Sequence, residues 1–475
     1  MNSTNPTNST NPENPENPEN PENPENPENP ENPENSANPA NYLADHGDPS
    51  YRVRHYDLEL DYKIGPNRLA ARARITAVAG DALSRFTLDL SGFKVTGVTV
   101  DGRAAKFTRR GHKLAVKPAK PVPAGGEFDV EVRYAGNPRP VGGRWGDIGW
   151  DELTDGVLVA SQPIGAPSWF PCNDRPADKA SYRVTVTTSS SHLVLLTGDL
   201  VSTRRNASTT TWVYERAEPT ACYLMSVQIG RYEELELVPA NRVNVLLGRD
   251  NEIRVVARAV PQRAAVPHRL RGAAEHDFGR QPRMMETFER LFGPYPFREY
   301  VVVVTVDELE DPVEAQGMAI FGANHVDGRG THERLVAHEL AHQWFGNSLT
   351  VAGWRHIWLN EGFATYAEWL WSEESGGPSV AELARQWSER MSRLPGLRLA
   401  DPGVANLFDV RVYKRGALTL HALRELAGDG RFFPMLRSWA DEHRHGTVTT
   451  DDFVAHAERH AGVPLTSFFG EHGVM

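Results

Sequence analysis

The sequence predicts an α+β chain of more than one domain, with an antiparallel β-sandwich or saddle first and a mainly helical domain second. Three observations carry this. Apolar residues alternate with a period of two from Tyr51 onward, they recur at spacings of three and four beyond about residue 260, and some 430 residues remain once a low-complexity N-terminus is set aside. That length suits two or three domains of ordinary size, each with its own core.

Residues 11–34 are eight successive Asn-Pro-Glu triplets. Proline at every third position removes backbone donors, and Asn and Glu bring no apolar surface to offset ordering entropy. Residues 1–44 are therefore expected to be a disordered tail. Residues 45–240 contain short alternating segments such as YRVRHYDLELDYKI, FDVEVRYAG and ASYRVTVTTSS, joined at Gly, Pro, Asn and Asp, and are read as one all-β domain. Residues 241–475 change to amphipathic helical spacing, as in ERLVAHELAHQWFG, with one strand-like segment at EYVVVVTVDEL and a stretch over 378–460 that is helical apart from short Gly/Pro breaks.

Eight of the 62 acidic residues lie in the repeat, leaving 54 against 51 Lys and Arg. So balanced a body offers no broad basic surface, which argues against nucleic acid and anionic lipid as partners. No apolar run approaches the ~20 residues of a membrane span, and the N-terminus has neither the basic nor the apolar region of a secretory signal. The two cysteines, Cys172 and Cys222, are expected as reduced thiols, and the cytoplasm is the expected location. The pattern carries no signal for an oligomeric state.

The strongest chemical signal is His338-Glu339-Leu340-Ala341-His342 within a helical pattern. At 3.6 residues per turn, positions 338 and 342 share a face, so both imidazoles can reach one zinc ion. Glu339 is offset by one residue and can take a proton from water beside the metal. A catalytic site needs a third protein ligand, and Glu361 in WLNEGFATYAEW supplies it from a second helix. His325, His332, His356 and His421 lack ligand spacing, and Asn347 and Thr365 are candidates for supporting positions. The tryptophans from Trp344 to Trp371 read as core. No phosphate-binding glycine loop or serine nucleophile elbow is present.

VAHELAHQWFGNSLT followed by WLNEGFATY resembles the zinc site of the aminopeptidase N family, a gluzincin group that also includes leukotriene hydrolase. The resemblance covers about residues 45–460 and implies a thermolysin-like catalytic domain holding one Zn2+ through His338, His342 and Glu361. It is to a short form lacking the C-terminal helical domain of many members. Asp311-Pro312-Val313-Glu314-Ala315-Gln316 stands where the family carries a Gly-x-Met-Glu-Asn-like loop, so Glu314 is implied to bind the free amine of a peptide. Physically, an exopeptidase needs such an anion, and Asp311, Glu310 and Glu308 are neighbouring alternatives. Ser161-Gln162-Pro163, ahead of Phe170-Pro171-Cys172-Asn173-Asp174, is similar to the family's Thr-Gln segment and implies a second amine contact in Gln162. Tyr413 in Val412-Tyr413-Lys414-Arg415-Gly416 matches the family's Tyr-x-Lys-Gly, and a phenol there can donate to an oxyanion.

The expected function is zinc-dependent release of single N-terminal residues, with Glu339 as base and peptides bearing a free N-terminus as substrates. An endopeptidase or epoxide hydrolase on the same scaffold is the alternative. A non-catalytic peptide-binding module is the third possibility.

Overall fold

The computed structural model describes residues 42–240, 243–247 and 253–474. The Asn-Pro-Glu repeat, and with it the expected tail up to residue 41, lies outside the described residues. Residues 42–44 are not solvated tail: the Tyr42 hydroxyl bonds the Asp401 carboxylate and accepts from the Gly403 N–H at 2.7 Å. An aromatic with two polar partners offsets the cost of ordering its segment.

The alternating segments form an eight-stranded sheet in the spatial order Asp199–Asn206, Thr209–Thr220, Ala180–Ser189, Tyr51–Lys63, Arg68–Ala79, Glu127–Gly136, Lys94–Val100 and Arg103–Ala104. The segment Tyr51–Lys63 shows why: Tyr51, Val53, Tyr56, Leu58, Leu60 and Tyr62 are buried while most residues between them face outward. All pairings are antiparallel except Tyr51–Lys63 with Ala180–Ser189, which run parallel. A five-stranded sheet, from Leu193–Leu196 through Gly156–Ala160 to Val141–Gly143, and a three-stranded one complete the layers around Trp150, Trp169 and Phe170.

The second half is built on another five-stranded sheet, ordered Tyr232–Val238, Gln262–Pro267, Tyr300–Val304, Met318–Phe321 and Val313–Ala315. The sheet partner thus changes at Tyr232, ahead of the residue 240 boundary read from alternation, because Tyr232–Val238 alternates like the strands before it yet pairs with Gln262–Pro267. Around this sheet lie α1 (Arg271–Asp277), α2 (Gln281–Phe292), α3 (Glu333–Ala341), α4 (Trp358–Glu374), α5 (Val380–Met391), α6 (Val410–Ala427), α7 (Asp429–Glu442), α8 (Thr450–Ala461) and α9 (Thr466–Glu471). The stretch expected to be helical apart from short Gly/Pro breaks also holds a longer irregular segment before α6 and the short strand Thr447–Val448. Among the described residues no helix is long and apolar enough to cross a membrane.

Two features fix the site. Helix α4 is buried from Trp358 to Trp371 and forms the axis of the helical core. Lys179, at the start of a strand of the large sheet, donates from Nζ to the carbonyls of Asn347 (3.1 Å), Ser348 (2.8 Å) and Gly446 (3.2 Å), which ties the β layers to the loop following α3.

Candidate active site

Helix α3 packs Val336, Ala337, Leu340 and Ala341 into the core. His338 and His342, one turn apart, stand with ring centroids 4.7 Å apart at 80°. The chain leaves the helix through Gly346 at φ +124°, where a Cβ would lie 3.2 Å from His342 Nδ1, so only glycine turns here without crowding the ring. Each imidazole is oriented through its Nδ1, His338 by Glu368 Oε1 at 2.7 Å and His342 by the Phe345 carbonyl at 3.0 Å. That leaves both Nε2 atoms turned to Glu361.

Glu361 Oε2 lies 3.5 Å from His338 Nε2 and 3.4 Å from His342 Nε2. Tetrahedral zinc with bonds of about 2.0–2.1 Å separates its donor atoms by about 3.3–3.4 Å, so the residues present fit that ion. Electrostatics agree. Burial would raise the Glu361 carboxyl, but the two imidazoles hold it down at about 2. Burial would lower His342, yet Glu314, Glu361 and Glu339 push it up to about 10. Three carboxylates around two imidazoles make a pocket short of positive charge.

Glu339 points beside this triad. Burial pushes its carboxyl up to about 7, and Oε2 is buried without a partner. Glu314 sits on the edge strand Val313–Ala315, and Glu314, Glu339 and His342 bring donor atoms within 4.8 Å of one another. Gln162, from the β layers, donates from Nε2 to Glu314 Oε1 at 2.8 Å. Tyr413, half-buried near the N-terminus of α6, lies over His338 with centroids 6.0 Å apart at 20°. Burial, followed by the charges of Glu361 and Glu314, keeps its phenol protonated.

All seven residues singled out from the sequence therefore gather in one region: Gln162 follows the strand Gly156–Ala160, Glu314 lies on Val313–Ala315, and the other five come from α3 and its end, α4 and α6. Of the acidic alternatives, Glu308, Glu310 and Asp311 join no metal-binding group among the described residues, and neither do His325, His332, His356 and His421.

Two further residues of the site, Glu368 and Gln343, were not legible in the motif, unlike Asn347 and Thr365. Glu368 is buried against His338, with Arg334 Nη1 at 3.1 Å and Lys414 Nζ at 3.6 Å. Burial would raise this carboxyl, but Lys414, Arg334 and His338 hold it well below the usual range. Its spacing of seven from Glu361, two turns on one face, was the available signal. Gln343 donates to the carbonyls of Ala315 (3.2 Å) and Met318 (3.3 Å) and accepts from the Gly317 N–H (2.7 Å). Asn347 donates to Ala315 O at 3.0 Å. The residues following His342 thus hold the turn that carries Glu314. Thr365 is buried one turn after Glu361 with an unpartnered hydroxyl.

A buried two-histidine, one-carboxylate site with an adjacent free carboxylate, set between β layers and a helical domain, is the arrangement of a metallohydrolase. The peptidase family M1 domain matches residues 277–472, and the M1 N-terminal domain matches residues 52–224. The solved M1 zinc metallopeptidase of Deinococcus radiodurans is 29% identical, superposes with a TM-score of 0.80, and is covered over 96% of its length by 91% of this chain. A mutant of that enzyme is 30% identical over 88% of this chain and 93% of its own (TM-score 0.77), and another, solved with the substrate Tyr-Ser-Ala, is 29% identical over 89% and 94% (TM-score 0.78). Leucine aminopeptidase 2 of Eremothecium gossypii is 24% identical over 85% of this chain and 64% of its own. This chain belongs to the M1 family of zinc metallopeptidases. It spans about a third to two thirds of the length of the first curated relatives it matches.

Proposed function

We propose that this chain is a zinc-dependent aminopeptidase that removes one N-terminal residue at a time from peptides with a free amino terminus. The observation that carries the reading is the Gln162–Glu314 pair: a buried carboxylate, ordered by an amide at 2.8 Å, beside the Glu339 and His342 side chains. A carboxylate withdrawn from water gains most from an ammonium partner, and it penalises a blocked amine or a continuing chain, which cannot neutralise it. This favours exopeptidase over endopeptidase action. The Deinococcus relative solved with Tyr-Ser-Ala supports a peptide ligand.

His338, His342 and Glu361 would hold the zinc ion, whose chemistry is to polarise a carbonyl and make water a nucleophile near neutral pH. The protein's own groups do the rest. Glu314 and Gln162 hold the substrate ammonium and so set the first peptide bond beside Glu339. Glu339, unpartnered at Oε2, takes a proton from the attacking water and returns it to the departing amine. Tyr413 donates its phenolic proton as a hydrogen bond to the oxygen that becomes negative after attack, a charge absent from the substrate. Lys414, next in sequence, helps fix Glu368 and thereby the His338 ring.

A cytoplasmic setting belongs to the same proposal. Its support is that Cys172 and Cys222 are both buried and unpaired, as a reducing compartment would leave them. Two titratable thiols in the unfolded chain are the corresponding expectation.

The test is metal content against turnover. Protein stripped by a chelator should lose alanine anilide hydrolysis and regain it with about one equivalent of zinc. Undiminished hydrolysis by fully stripped protein would rule the proposal out.

A further inference from the structure

Helix α8 repeats the spacing of His338 and His342. Its His456 and His460 stand one turn apart, with ring centroids 4.5 Å apart. A carboxylate from a second helix faces them, as Glu361 faces the first pair. It belongs to Glu442, the last residue of α7, and Glu442, His456 and His460 bring donor atoms within 4.8 Å of one another. None of the three joins the groups formed around His342.

The hydrogen bonds fix which atoms are free. The His456 side chain is fully buried, and its Nε2 lies 3.0 Å from the Met435 carbonyl, which can only accept, so Nε2 carries the proton and Nδ1 the lone pair. A metal-binding imidazole is held in the same way, with its other nitrogen donating to a backbone carbonyl. Burial keeps His456 below the ordinary imidazole range and therefore neutral at pH 7. Glu442 is oriented too: Ser438 Oγ donates to its Oε1, and Oε2 lies 3.5 Å from His456 Nδ1. A cation already sits at these two acceptors. Arg459 Nη2 is 3.1 Å from His456 Nδ1 and 3.4 Å from Glu442 Oε2, and the arginine side chain is more than half exposed, so it is free to swing into water.

We propose that Glu442, His456 and His460 form a second metal site, which takes a divalent transition ion such as Zn2+ in place of the Arg459 guanidinium. Two imidazoles and one carboxylate suit that class of ion, whereas Mg2+ and Ca2+ prefer oxygen donors throughout. The donor atoms close to the ~3.3 Å separation of a tetrahedral zinc site by rotation of Glu442 and His460, neither of which is fully buried. The role is structural. The ion ties the end of α7 to the last turn of α8, and α8 holds α4 through Phe453, which packs on Trp358 and Phe363, and through Thr450, whose Oγ1 accepts from Trp358 Nε1 at 3.0 Å.

The test is equilibrium dialysis of the full chain against zinc, with bound metal counted and thermal unfolding followed at each concentration. Wild type should take up one equivalent more than His460→Ala, and filling that extra site should raise the Tm of wild type alone. His460 is only half-buried, so its replacement leaves the fold intact. Arg459→Ala, relieved of the competing cation, should bind the extra equivalent about tenfold more tightly. Equal zinc content in wild type and His460→Ala would mean adventitious binding only and would overturn the proposal. Affinity no higher in Arg459→Ala than in wild type would overturn it as well.

Discussion

His338 Nδ1 lies 2.7 Å from Glu368 Oε1, and Glu368 stands two turns beyond Glu361 on the same face of α4. One helix therefore supplies both a proposed ligand and the carboxylate that orients another ligand. Arg334 and Lys414 complete a charge network around Glu368.

Removing the charge of Glu368 while keeping its shape should loosen His338 without touching the donor set. Glu368→Gln is expected to bind zinc about 10–100-fold more weakly, measured by competition with a chromophoric chelator. Affinity equal to wild type would show that the 2.7 Å contact does not order the ring.

Gly362 of α4 and Gly416 of α6 meet backbone to backbone: a Cβ on Gly416 would lie 2.7 Å from Gly362 Cα, and the reverse 2.8 Å from Gly416 Cα. This crossing sets the separation of Glu361 and Tyr413. Gly416→Ala should cost about 1–3 kcal/mol by overpacking and reduce turnover together with stability. Gly430→Ala, in α7 with nothing within 4 Å, is the control and should be neutral or mildly stabilising. Calorimetry of the two variants separates crowding from a generic alanine effect.

Glu339 and Tyr413 are assigned roles only in the chemical step. Glu339→Gln should lower kcat about 10²–10⁴-fold and Tyr413→Phe about 10²–10³-fold, each with zinc content and KM close to wild type. A rise in KM with kcat preserved would make either residue a binding group instead.

Burial, aided by Arg355, pushes His356 down to about 4, and its Nδ1 accepts from the Thr450 N–H at 3.2 Å. Between pH 6.5 and 4 the unfolded chain therefore binds a proton that the folded chain refuses. This contribution is present above pH 6.5 and is lost as the pH falls toward 4. His356→Asn removes the titration while keeping an acceptor, so its Tm should fall less than that of wild type between pH 7 and 4.5. Parallel Tm profiles would contradict the assignment.

The division into β layers and a helical domain was legible because period two and period 3.6 are imposed by burial on one face, as in Tyr51–Lys63. The strand Tyr232–Val238 was misassigned to the first domain because alternation reports a half-buried strand and not which sheet it joins. Short strands such as Val313–Ala315 carry too few residues for any period, so the edge that presents Glu314 could be read only from its motif. His338, Glu339, His342 and Glu361 were legible because metal geometry ties residue type to helical spacing. Glu368, Gln343 and the Gly362–Gly416 crossing were not, since they act through neighbours that only the folded chain brings together.

The central claim is that Glu314, ordered by Gln162, selects a free amine at a zinc centre. The most direct measurement is hydrolysis of leucine anilide and its N-acetyl form by wild type and Glu314→Ala. Cleavage of only the free-amine substrate, strongly reduced in the variant while its zinc content is unchanged, is the predicted result. Equal cleavage of the acetylated form by wild type would contradict the account.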